Sequence, residues 1–120
     1  MRPKQPHRFW PIIAHVACIA LVDAIKELAE LCPVALPPDV DIKWPNDVLL
    51  SGKKCAGILL EALSEGAGNA AALVGFGINV HKGSVPEDLT HEAACLDEMA
   101  NTIVPRRQLL VLYLKHFQIC

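Results

Sequence analysis

The feature that most constrains this chain is a pair of long apolar runs, residues 54–61 and 70–80, joined through a loop containing Ser64-Glu65-Gly66-Ala67-Gly68-Asn69. A connection this short leaves no room for a crossover helix, so the two runs pair as antiparallel neighbours. Two shorter extended segments precede them. Val40, Ile42 and Trp44 lie on one face of the first, with Asp41 and Lys43 on the other. Pro45 cannot donate to a ladder, so that strand stops there and Asn46 and Asp47 occupy its polar end. Val48-Leu49-Leu50 resumes extended structure, and Ser51-Gly52 followed by Lys53 supplies a hairpin turn. In the strand that follows, strict alternation sets Lys54, Ala56, Ile58 and Leu60 on one face, and Cys55, Gly57, Leu59 and Glu61 on the other. A lysine opening a mostly apolar strand, close to Lys43, Asn46 and Asp47, is an anion-handling arrangement.

Helices flank this sheet. One is predicted over residues 11–31, with Pro11 as its first residue. Ile13, Ala17, Leu21, Ala24, Leu28 and Leu31 form its apolar stripe, and Asp23, Lys26, Glu27 and Glu30 oppose it in the second half. In the first half Ile12, Val16 and Ile19 make the other side apolar too, which predicts burial on two sides. Cys32-Pro33 and Pro37-Pro38 end the helix and form a stiff linker. Thr90 is the expected N-cap of a helix reaching Met99, with Glu92 near its positive end. Pro105 opens a last helix with a stripe of Leu109, Leu110, Tyr113, Leu114 and Phe117. Strands followed by helices in this order make an α+β domain, a mixed or antiparallel sheet covered by helices.

The ordered motifs carry a resemblance. Lys43-Trp44-Pro45-Asn46-Asp47, then Gly52-Lys53-Lys54 with Ala56-Gly57-Ile58-Leu59-Leu60-Glu61, then Gly75-Phe76-Gly77-Ile78-Asn79, closely resemble the catalytic domain of biotin–protein ligases, a class II synthetase-like fold. The resemblance implies ATP-dependent adenylation of biotin and transfer to a lysine of a biotin carboxyl carrier protein. It implies that Lys54 contacts the biotin carboxyl and the phosphate, and that Lys43 lies close to the nucleotide phosphates. Asp47 would position those phosphates or their Mg²⁺, and Asn46 with Asn79 would hold adenine. Gly57 would let the biotin ring approach, Ile58 and Leu59 would line the pockets, and Gly75 and Gly77 would admit a ligand near the strand. Each residue has a plainer reading: surface lysines are mostly solvated, Asn-Asp after proline is often only a turn, and Gly-x-Gly is often a bulge at a strand end.

The family's Arg/Gly-rich biotin loop and its small C-terminal barrel have no counterpart in residues 1–120, and Met1-Arg2-Pro3 reads as the end of the strand after that loop. The expectation is therefore a partial, N-terminally truncated catalytic domain, weakly active or inactive by itself. Two alternatives stand beside it. One is a non-catalytic remnant acting as a dimerisation or interaction module; the other is a lipoate ligase relative. Bacterial members of the family pair sheets through this region, which implies a homodimer through the sheet edge.

Composition narrows the partners. The chain of 120 residues is 52% apolar but only 5% aromatic, with a mean hydropathy of +0.33, which fits one aliphatic core. Its net charge of −2 and lack of a basic stripe argue against nucleic acid. The apolar stretch before Asp23 is interrupted by Pro11 and His15 and falls short of the ~20 residues of a membrane span. Five cysteines without a Cys-x-x-Cys motif read as reduced thiols of a cytoplasmic protein. His91 and Cys95 would share a helix face, but two candidates make no structural zinc site, and no metal ligand set is assigned.

Overall fold

The structure is a computed structural model that describes residues 1–4, 8, 10–32, 39–64, 66 and 70–119. In chain order these form helix α1 (Pro11–Leu31), strands β1 (Val40–Lys43), β2 (Asp47–Leu50), β3 (Lys53–Ser64) and β4 (Ala70–Ile78), a 3₁₀ turn at Glu87–Leu89, and helices α2 (Leu96–Ala100) and α3 (Arg106–Ile119). The four strands lie in the order β1-β2-β3-β4, every neighbour antiparallel. The α+β expectation holds. The proline-rich linker of residues 33–38, most of the loop between β3 and β4, and Cys120 lie outside the described residues.

The β2–β3 hairpin turns on Ser51 and Gly52, with φ of 47° and 80°. Positive φ at both central residues matches the right-handed twist of the flanking strands, and the glycine adopts it without steric cost. The turn between β1 and β2 contains Pro45, with a cis Trp44-Pro45 peptide. Met1 exchanges two backbone bonds with Ala72 of β4, at 2.9 and 2.8 Å, so the first residue continues the sheet in strand fashion.

One face of the sheet is covered and the other is open. Val48, Leu50, Ala56 and Ile58 are buried in the same aliphatic cluster as Ala17, Leu21, Ala24, Ile25 and Leu28 of α1 and Leu109, Leu112 and Tyr113 of α3. Leu59 is 59% exposed, whereas its neighbour Ile58 is 1% exposed. Removing such aliphatic side chains from water drives the folding, at roughly 1.5–3 kcal/mol for each one fully buried. α1 and α3 are also stapled across their polar edges, where Glu27 accepts from Lys115 at 3.0 Å and contacts His116.

Four expectations for the helices are corrected. Ile12 and Ile19 are exposed and Val16 is only partly covered, so the first half of α1 is buried on one side, not two. Leu31, placed in the stripe, is 60% exposed at the last turn. In α3 the buried residues are Leu109, Leu112 and Tyr113, which share one cluster with α1; Leu110 and Leu114 are exposed, because that packing and not the helix's own periodicity chooses the covered face. Residues 90–95 do not form a helix. Thr90 ends the 3₁₀ turn, its hydroxyl donating to the Glu87 carbonyl at 3.0 Å, and α2 begins only at Leu96. The backbone of residues 92–94 is engaged with β3 instead, so a tertiary pairing overrides the local helical signal.

Candidate functional site

β3 breaks its own alternation once, and the break decides where its lysine goes. Val48 pairs with Ala56, yet the next residue of β2, Leu49, pairs with Lys54, which leaves Cys55 without a partner on β2. A bulge of this kind re-aims the side chains beyond it. Strict alternation places Lys54 with Ala56 and Ile58 on the helix-covered face; the bulge moves it to the open face, with Gly57. Cys55 turns inward and is fully buried beside Ala56.

Register then gathers the polar residues. Lys43 pairs with Asp47, Asp47 with Gly57, and Gly57 with Gly77, one row across four strands. Partners in antiparallel strands share a face, so these residues lie side by side on the open face. The Lys54 ammonium sits 3.3 Å from Asp47 Oδ1, with the two side chains 53% and 25% exposed. This ion pair lies over Gly57: a β-carbon there would stand 3.3 Å from Cε and Nζ of Lys54 and 3.6 Å from Asp47 Oδ1. Gly75 and Gly77 differ. A β-carbon on Gly75 would meet only the Leu59 backbone at 3.9 Å and Leu59 Cβ at 4.0 Å, and one on Gly77 would meet nothing within 4 Å. These two glycines leave a bare floor beside the ion pair.

The floor belongs to a shallow depression of about 420 Å³ bordered by Asn46, Asp47, Lys54, Gly57, Ile58, Leu59, Gly75, Phe76 and Gly77. Eight of the residues singled out from the sequence meet there. Ile58 borders it while its side chain lies in the core. Asn46 spends its amide on structure, Nδ2 donating to the Ile58 carbonyl at 2.6 Å while its backbone carbonyl accepts from Ile58 N–H at 2.9 Å. Lys43 and Asn79 do not border the depression. Lys43 stands one strand beyond Asp47 in the row, and Asn79 is held by its backbone, donating to the Cys55 carbonyl at 2.8 Å and accepting from Leu96 N–H at 3.0 Å.

Burial pushes the pKa of the Cys55 thiol up to about 12, with Cys95 adding to the rise and the contact to the Asn79 carbonyl opposing it. A thiol so held stays protonated and supplies no nucleophile next to Lys54. Among the described residues no three His, Cys, Asp or Glu side chains come together as a metal site, and His91 pairs with Glu92 while Cys95 is buried. A second hollow, of about 350 Å³, lies between β4 and α3 and is lined by Phe76, Ile78, Val80, Arg106, Arg107, Leu109 and Leu110. Among the described residues that line it there is no site candidate from the sequence and no carboxylate. Phe76 borders both hollows, its ring in a T-shaped contact with Tyr113 at 4.8 Å between centroids. Sequence reading missed Phe76, and it missed the contact of residues 92–94 with Lys54, for which local periodicity carries no signal.

What this arrangement can do is hold an anion. One lysine lies beside a carboxylate on an open sheet, a second lysine stands further along the row, and an apolar floor adjoins them.

Comparison with known proteins supplies the context. A sequence profile of the Biotin/lipoate A/B protein ligase family matches residues 2–79. The bifunctional ligase/repressor BirA of Bacillus subtilis is 32% identical over 122 residues, covering 100% of this chain and 34% of that protein. The biotin–[acetyl-CoA-carboxylase] ligase of Paracoccus denitrificans is 48% identical over 68 residues, 57% of this chain and 26% of that one. Among solved structures, a point mutant of the Aquifex aeolicus biotin protein ligase in complex with biotin superposes with a TM-score of 0.78 at 29% identity, over 99% of this chain and 46% of that chain. The same organism's ligase in complex with biotin and ATP gives 0.77 at 28%, with 99% and 46% covered. The chain thus spans about a third of the length of the Bacillus relative and just under half of the solved ligase chains.

Proposed function

Because this chain belongs to the biotin/lipoate A/B protein ligase family, we propose that it carries the anion-handling part of a biotin–protein ligase site. The reaction joins biotin to AMP and then to a lysine of a biotin carboxyl carrier protein. In the first step a biotin carboxylate oxygen bonds to the α-phosphorus of ATP and pyrophosphate leaves. In the second, the acceptor's lysine amine attacks the anhydride carbonyl and AMP leaves. Negative charge crowds around the α-phosphate in the first step, so fixed cations there lower the barrier.

The observation that carries this reading is the placement of Lys54 on the open face, over Gly57 and 3.3 Å from Asp47. Lys54 bridges the biotin carboxyl and the phosphate, exchanging its Asp47 partner for the ligand. Lys43, in the same row, screens the nucleotide phosphates. Leu59 and the bare strand at Gly75 and Gly77 take the apolar part of the ligand. Asn46 fixes the turn that presents Asp47, with its side-chain carbonyl oxygen left for a ligand amino group, and Asn79 serves the adenine edge. A Mg²⁺ ion is compatible with these donors, since Mg²⁺ is commonly held by one or two carboxylates plus substrate phosphates, and Asp47 offers one carboxylate on the open face. That ion would neutralise phosphate charge; Asp47 is the residue that would hold it.

Biotin is preferred to lipoate as the acid, because the Paracoccus relative is named as a biotin ligase and the superposed Aquifex structures are of a biotin protein ligase. The test is biotin-dependent exchange of labelled pyrophosphate into ATP. Lys54→Ala lowers the exchange rate by about 100- to 1,000-fold, the cost of removing one electrostatic donor from a transition state. An exchange rate unchanged by Lys54→Ala refutes the assignment.

A further inference from the structure

Lys54 is aimed by a segment distant from it in the chain. β4 leaves β3 at the Ile78–Ala56 pair, and residues 92–94 take its place against the start of β3. The Lys54 N–H donates to the Glu92 carbonyl at 2.9 Å, and the Ala94 N–H donates to the Lys54 carbonyl at 2.9 Å. Both backbone groups of the bulged lysine are therefore spoken for by one parallel bridge, which holds the Cα–Cβ direction against the irregular β2 pairing. The segment is tied down on each side. Behind it, Leu96 N–H donates to the Asn79 carbonyl at 3.0 Å and Asp97 N–H to the Val80 carbonyl at 2.9 Å. In front of it, the Lys53 ammonium donates to the Thr90 carbonyl at 2.9 Å.

The geometry points to residues 90–94 as a strap that sets the direction of Lys54, and to Lys53 as the positioning residue that fastens it. This deepens the ligase reading and rests on it. From the sequence alone Lys53 is only the residue that follows a hairpin turn. In the structure the two adjacent lysines divide the work: one reaches the ligand, and the other grips the backbone that orients the first. Lys53 does not touch the depression, so its effect passes through Lys54.

The experiment compares the wild-type chain with Lys53→Ala and Lys53→Arg. Affinity for a sulfamoyl analogue of biotinyl-adenylate is measured by calorimetry, and amide exchange at Lys54 and Ala94 by NMR. Losing the Lys53 bond speeds exchange at those two amides and weakens the analogue, each between about threefold and tenfold, as expected for one exposed charge-assisted bond. Lys53→Arg, which keeps a cationic donor, restores both, and exchange in α1 stays unchanged throughout. Unchanged affinity in Lys53→Ala overturns the positioning role, whether or not exchange rises. Weakened affinity without faster exchange at Lys54 and Ala94 overturns the strap as its route. A wild-type chain that fails to bind the analogue removes the ligase reading itself, and the positioning role with it.

Discussion

Gly57→Ala isolates the space that the ion pair needs. The added methyl would stand 3.3 Å from Cε and Nζ of Lys54, tighter than ordinary contact, so the lysine tip must retreat by a few tenths of an ångström. That tip is the free end of a flexible side chain, and the third neighbour, Asp47 Oδ1, is already at a normal 3.6 Å. Gly57 has no left-handed φ, so alanine fits its backbone. Replacing a strand glycine gains roughly 0.5–1 kcal/mol from the unfolded chain's lost freedom. Against this stands the weakened Lys54–Asp47 pair, worth below about 1 kcal/mol where the lysine is half exposed. The two nearly cancel, so the thermal midpoint stays within about 4 °C of wild type, the shift that roughly 1 kcal/mol makes in a domain this size. Function responds differently. A misplaced reacting group costs up to about 100-fold for a displacement near 1 Å, so a few tenths predict a loss of about tenfold in biotin-dependent pyrophosphate exchange. Thermal denaturation and the exchange assay on the same preparation decide the matter. Full activity at an unchanged midpoint refutes the argument that the space over Gly57 is kept for Lys54; a fall of roughly ten degrees or more would mean the methyl meets backbone, contrary to the geometry.

Two predictions concern stability. Asp97, 9% exposed, accepts from Val104 N–H at 2.7 Å, from Lys82 N–H at 3.2 Å and pairs with His81 at 3.0 Å. Burial alone would raise its carboxyl pKa, but these partners outweigh it and hold it below the ordinary aspartate value. Asp97→Asn turns a donor toward at least one N–H, and urea unfolding should register a loss of about 1–3 kcal/mol; a loss under about 0.5 kcal/mol would deny Asp97 its role in joining α2 to its flanking loops. The Glu27 carboxyl is held below its ordinary value by hydrogen bonds from Lys115 and His116. A lowered folded-state value means stability present above the unfolded value and lost as pH falls through the folded one, so the thermal midpoint declines below about pH 4.5. Glu27→Gln should flatten part of that decline, and an identical acid profile in the variant would dismiss the staple as a contributor.

How much of this was legible beforehand depends on the range of the interaction involved. Periodicity, proline and turn chemistry act within a few residues, and they determined α1 from Pro11 to Leu31, the break at Pro45, the turn at Ser51-Gly52 and the antiparallel β3–β4 pair. The motif residues Asn46, Asp47, Lys54, Gly57, Leu59, Gly75 and Gly77 were nameable for another reason, the resemblance of three ordered motifs to those of biotin–protein ligases, and the fold gathers them around one depression.

Only the tertiary structure decided which way Lys54 points. Alternation is a rule for an unbroken ladder, and it assigns that lysine to the core; the skipped partner at Cys55 reverses the assignment. Whether a strand skips a residue depends on what receives the displaced backbone groups, and here the receiver is the segment around Ala93, remote in sequence. The same pairing cancelled the helix that Thr90 signals. It is likewise the packing of α1 on α3, invisible in either helix alone, that selects Leu112 over Leu110 for the core.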